Sequence, residues 1–140
     1  RIIYQEEVEH GVVVFYENNV GDNAYTINAE FIKHKLFGWK WVYGGGFSGY
    51  SGQYLPGISG TPFPMMFGEV KNNDIEQIEI RDTEHNETKT VDIVGPDNYR
   101  IWYVFVDESS GPTFEISGLA ANGEIVESTA FNVADLNFSF

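Results

Sequence analysis

The sequence predicts an all-β fold: an antiparallel β-sandwich, immunoglobulin-like or related, with an open barrel as second choice. Three observations predict it. No segment of the 140 residues carries a sustained 3.6-residue apolar period. Short runs rich in Val, Ile, Thr, Phe, Tyr and Trp alternate with Gly, Asn, Asp and Pro. These runs number about nine or ten, at the spacing of a sandwich or barrel. The length suits one β domain over residues 1–140, because either half alone would bury too little surface. Aromatic residues make up 16% of the chain, enough large side chains for a core without disulfides.

The elements follow in order. Val12 to Tyr16 is apolar at every position and predicts a strand covered on both faces. Asn18 to Asn23 reads as a turn. Ala24 to Lys33 is a strand with Tyr25, Ile27, Ala29 and Phe31 facing inward. Trp39, Trp41 and Tyr43 share one face by the two-residue period. Residues 44–61 hold Gly44, Gly45, Gly46, Gly49, Gly52, Gly57 and Gly60 among aromatics and predict a long Gly/aromatic-rich loop.

The second half is more regular. Ile78 and Ile80 oppose Gln77 and Glu79, and Thr88 to Val94 returns with Val91 and Ile93 inward. Gly95 to Asn98 turns, and Tyr99 to Val106 reads as a central strand buried on both faces, with only Arg100 interrupting. Phe114 to Gly118 and Glu124 to Ser128 form a hairpin around Asn122-Gly123. A strict two-residue loop would put Ile116 and Glu127 on one face, so a bulge or a longer loop is expected. Phe131 to Phe140 reads as one terminal strand.

Charge narrows the function. The net charge is −13, which disfavours nucleic acid because phosphates would be repelled. The one cationic cluster is Lys33, His34, Lys35 and Lys40, beside Trp39 and Trp41. There is no cysteine, so thiol catalysis and Cys-based zinc sites are excluded. No run approaches the roughly 18 apolar residues of a membrane span. His10, His34 and His85 lie near turns or strand ends without metal-ligand spacing. Gly46-Phe47-Ser48-Gly49 and Gly49-Tyr50-Ser51-Gly52 miss the nucleophile-elbow spacing, and no helix follows to hold a phosphate. No cofactor, metal or catalytic residue is nominated. Acidic turns at Asn18–Asn23, Asn72–Asp74 and Asp107-Glu108 offer hard oxygens for calcium, against the plainer reading of solvated turns.

The aromatic cluster is the strongest lead. Trp39, Lys40, Trp41, Tyr50 and Tyr54 are the candidate ligand-binding residues, since sugar rings and extended peptides stack on such side chains. The competing reading places the indoles in the core and the tyrosines over its edge.

Several strings together resemble a group of small secreted or lipoprotein-like proteins of uncharacterised function from Bacillus-type Gram-positive bacteria. They are Gly11-Val12-Val13-Val14-Phe15-Tyr16, Phe37-Gly38-Trp39-Lys40-Trp41-Val42, Gly60-Thr61-Pro62-Phe63-Pro64, Phe67-Gly68 and Tyr99-Arg100-Ile101-Trp102-Tyr103-Val104. The resemblance spans about residues 8–126. It implies an export signal removed before Arg1, an extracytoplasmic location, and any lipid anchor upstream of this chain. It brings no activity and no functional residue.

The expectation is therefore a non-enzymatic binding domain at the cell surface, with a cell-wall glycan, a peptide or a protein as partner. A hydrolase using paired carboxylates, such as Asp22 with Glu30 or Glu69 with Asp107, is the alternative from another class. An assembly module lending a sheet edge is the third.

Overall fold

The computed structural model describes residues 1–96 and 98–140. Alternation at the N-terminus builds a four-stranded meander: β1 (Ile2–Val8), β2 (Gly11–Gly21), β3 (Ala24–Lys35) and β4 (Gly38–Phe47). This is sheet A. Ile3, Val13, Phe15, Ile27, Ala29, Phe31 and Phe47 project from its inner face and are buried. The turn between β2 and β3 is shorter than expected. Strand β2 runs on to Gly21, and only Asp22 and Asn23 turn, at φ 49° and 61°. Two left-handed residues are what a tight hairpin with native twist requires, and Asp and Asn tolerate that region.

Two further expectations about sheet A are corrected. Val12, Val14 and Tyr16 are only half-buried, because sheet A is an outer layer and one of its faces meets solvent. Tyr43 does not share a face with Trp39 and Trp41. Phe31 pairs with Tyr43 and Ile32 with Trp41, so Val42 is the extra residue of a bulge that resets the period.

Sheet B follows: β5 (Gly52–Leu55), β6 (Met65–Glu69), β9 (Ile101–Phe105) and β12 (Asn137–Phe138), in the order β12-β5-β6-β9. Sheet C holds β7 (Gln77–Asp82), β8 (Glu87–Asp92), β10 (Thr113–Leu119) and β11 (Ile125–Asn132), in the order β11-β10-β7-β8. Sheet B lies between the other two. Leu55, Met65, Phe67 and Ile101 pack toward sheet A, and Met66, Trp102, Val104 and Phe138 pack toward Ile78, Ile80, Phe114 and Ile116 of sheet C. Burial on both faces explains the unbroken apolar character of Met65-Met66-Phe67 and Ile101-Trp102-Tyr103-Val104.

The molecule is thus an antiparallel β-sandwich, with three sheets of four strands in place of the four-and-three arrangement of an immunoglobulin domain. No sheet closes into a barrel. Twelve strands are found among the described residues, where about nine or ten were expected. Strand β9 is covered on both faces, yet it lies at the edge of its sheet rather than in the middle. The Arg100 guanidinium donates to the carbonyls of Asn72 and Ile75, which gives two of its five N–H donors backbone partners where it meets the β9 region.

The 44–61 segment is not one loop. Gly44 to Phe47 completes β4 and Gly52 to Leu55 forms β5, which leaves irregular chain at 48–51 and after Leu55. The terminal segment is also divided. Strand β11 ends at Asn132, whose side chain accepts from the Ala134 N–H and caps a 3₁₀ turn (Val133–Asp135) before β12. The expected hairpin bulge is present between Gly118 and Leu119. It leaves Glu127 opposite Gly118, on the same face as Ile116. The turn expected at Gly95 to Asn98 includes Asp97, which lies outside the described residues.

Two tyrosine–carboxylate hydrogen bonds join sheets A and B. The Tyr25 hydroxyl donates to Glu69 at 2.8 Å and the Tyr103 hydroxyl to Glu6 at 2.6 Å. Burial, the hydrogen bond and the negative charge of Glu69 and Glu17 push Tyr25 up to about 12. Tyr103 is raised by burial, by Glu6 and by Tyr4.

Candidate functional site

The outer face of sheet A is divided along its strands. At the end toward the β2–β3 turn it is polar: Tyr16 donates to Glu30 at 2.7 Å, and Asn28 donates to the Thr26 hydroxyl at 2.7 Å. Toward the β3–β4 turn it is apolar. Strand register places Val12, Val14, Ile32, Trp39 and Trp41 on that face, with Ile2 beside them. Trp39 is 63% exposed and Trp41 56%. Trp39 stands opposite His34, their rings edge to face at 4.8 Å. Ile2, Gln5, Glu7, Val12, Val14, Ile32 and Trp39 line an open groove of about 580 Å³. The indoles are therefore not core residues. Trp102 is the buried one, at 0%.

Lys40 pairs with Lys33 across the hairpin and points from the opposite face, beyond the end of the core. Lys33, Lys35 and Lys40 thus share the face opposite the indoles, at the same end of the hairpin. Leu36 and Phe37 form the apex of this hairpin and are 88% and 95% exposed. Sequence reasoning passed over these two. The available signal was a pair of large apolar residues at turn positions, where Gly, Asn, Asp, Pro and Ser dominate.

The two tyrosines lie elsewhere. Trp39 to Phe47 alone spans roughly 25 Å of strand, and Tyr50 comes after it. Tyr50 is exposed and borders two adjoining clefts of about 350 and 110 Å³ that share Gly49, Glu69 and Lys71. Tyr54 pairs with Met66 on β5 and packs against the core between sheets B and C. Burial and then the charge of Glu108 raise its pKa. The five candidates therefore divide: Trp39, Lys40 and Trp41 at one end of sheet A, Tyr50 at a cleft near the other, and Tyr54 in the packing.

Carboxylates offer little chemistry by comparison. Glu69 and Glu127 both line the larger cleft, but Glu69 is already held by the Tyr25 hydroxyl at 2.8 Å and stands 3.9 Å from Lys71. Asp82 is the buried carboxylate. It accepts from the backbone N–H groups of Glu84, His85 and Gly111, and its other contact is the His85 ring at 2.8 Å. Burial alone would raise its pKa, and these hydrogen bonds overcome burial and lower it. The arrangement fixes a turn and ties it to the Gly111 loop. Among the described residues no three His, Asp or Glu side chains gather as metal ligands. No protein-family model, curated protein or solved structure matches this chain.

Proposed function

We propose that this chain is a non-enzymatic binding domain working outside the cytoplasm at the cell surface, with its ligand on the apolar end of sheet A. The observation that carries this reading is the exposure of Trp39 and Trp41 side by side on one face, over a floor of Val12, Val14 and Ile32. Exposed apolar patches of this kind mark interaction surfaces, and large aromatics dominate binding energy at such surfaces. The likeness of the Phe37–Val42 and Tyr99–Val104 strings to small exported proteins supports the location.

The test is retention of the protein by isolated cell envelopes, run beside a glycan array. The Trp39→Ala/Trp41→Ala double variant should lose about tenfold or more in retention while its thermal midpoint stays near the parent value. Unchanged retention would remove this face as the site. The same experiment with Tyr50→Ala separates the sheet A end from the cleft bordered by Tyr50, and that variant should bind like the parent.

A further inference from the structure

We infer that the β3–β4 hairpin docks the protein on an anionic lipid bilayer, its apex dipping into the boundary between headgroups and acyl chains. The inference rests on the apolar end of sheet A being the binding surface and names its partner.

The apex carries the first argument. Lys35 pairs with Gly38, so Leu36 and Phe37 alone make the turn. Gly38, at φ 115°, takes the left-handed position. Neither Leu36 nor Phe37 is needed there for turn geometry, and at 88% and 95% exposure they contribute almost nothing to the core. Two large apolar side chains held out at the tip of a hairpin remain to be covered by something that receives a protrusion. A glycan that stacks on the two indoles would leave them in water. A protein strand added along β4 would leave them in water too.

Layering carries the second. Behind the apex along the outer face come Trp39 and then Trp41, both more than half exposed. Lys33, Lys35 and Lys40 stand at the same height on the opposite face of the hairpin. Apolar tip, then indole and ammonium groups, is the vertical order of a membrane interface, where aromatic rings sit at headgroup level and lysines reach phosphates. Among the described residues no helix is long and apolar enough to cross a membrane, and the hairpin need only enter one leaflet.

Charge carries the third. Residues 31–68 contain three lysines and no Asp or Glu, in a chain of net charge −13. Acidic groups border this end as well: Glu7 lines the groove, Glu30 on the outer face of β3 is held by the Tyr16 hydroxyl, and Glu9 in the β1–β2 turn lies 3.3 Å from the His10 ring. The acidic body would be repelled by an anionic surface except through this end, which orients the approach.

The experiment uses the intact chain with vesicles of equimolar phosphatidylglycerol and phosphatidylcholine, and with phosphatidylcholine alone. Because Trp102 is already buried, a change in tryptophan emission on binding reports on Trp39 and Trp41. Binding to the anionic vesicles should shift the emission to the blue, and lipids brominated on the acyl chain should quench it. Leu36→Ser/Phe37→Ser should weaken binding about tenfold, and raised salt should weaken it further. No blue shift and no quenching with the parent chain would overturn the inference without reliance on any variant. Equal binding to the neutral vesicles would overturn the role given to the lysines. Retention by lipid-extracted envelopes that still depends on Trp39 and Trp41 would overturn the lipid partner and leave the binding surface standing. Envelope retention and vesicle co-sedimentation both unchanged in the Trp39→Ala/Trp41→Ala variant would remove both.

Discussion

At the residue scale, the three indoles show how one side chain serves opposite ends according to its layer. Trp102 is buried between sheets B and C, its ring 5.9 Å from that of Phe138. Trp102→Ala should cost about 3–5 kcal/mol, read by urea denaturation. Trp39→Ala should stay within about 0.5 kcal/mol, since surface changes away from packing rarely exceed that. Gly68 belongs to the same account. A Cβ there would lie 2.6 Å from the Trp102 indole nitrogen and 2.5 Å from the Ser51 carbonyl oxygen. Gly68→Ala should therefore destabilise the protein, and a variant as stable as the parent would show that both the indole and the Ser51 backbone can move aside.

At the element scale, alternation was a reliable guide wherever a strand kept a single register. Tyr25 to Phe31 and Ile78 with Ile80 face as their pattern predicts. It failed at Tyr43, because one extra residue at Val42 inverts every side chain beyond it and a bulge leaves no compositional mark. Gly44 to Gly46 read as loop because glycine favours no regular structure. In the fold, side chains of Glu30, Asn28 and Gln53 fill the places where their Cβ atoms would be, and that crowding is invisible in one dimension. The candidate site was half legible. Indoles at Trp39 and Trp41 flagged a surface, whereas Tyr50 and Tyr54 are near them in sequence but far along the strand.

Asp82 is an element-scale lock between the β7–β8 turn and the Gly111 loop. Its carboxylate is stabilised in the ionised form, so its contribution is present above about pH 4 and is lost as pH falls through its lowered folded-state pKa. Asp82→Asn should cost roughly 1–3 kcal/mol at neutral pH and flatten the acid limb of the stability profile. Thermal melts of the two proteins between pH 2 and 7 would check this, and parallel profiles would contradict it.

At the scale of the whole molecule, the middle sheet is held from both sides, and its bond to sheet A includes two tyrosine hydroxyls. Of these, Tyr25 has its pKa raised to about 12 and Tyr103 is raised as well; Tyr16, bonded to Glu30 within sheet A, is also raised to about 12, so the neutral hydroxyl is the favoured form in the fold. That stability is complete below the unfolded value near 10 and is lost as pH rises toward 12. Phenolate absorbance should show Tyr16 and Tyr25 ionising late, as the fold opens. Tyr25→Phe should remove part of that alkaline dependence. Three layers also leave sheet A free to present its outer face while sheet B carries the packing, so under the proposed function binding would be separate from stability.

The most direct measurement is hydrogen–deuterium exchange of the protein with and without cell envelopes. Slowed exchange concentrated at residues 32–42 is the result this account predicts. Slowed exchange at residues 48–51 and 69–72, with 32–42 unchanged, would contradict it.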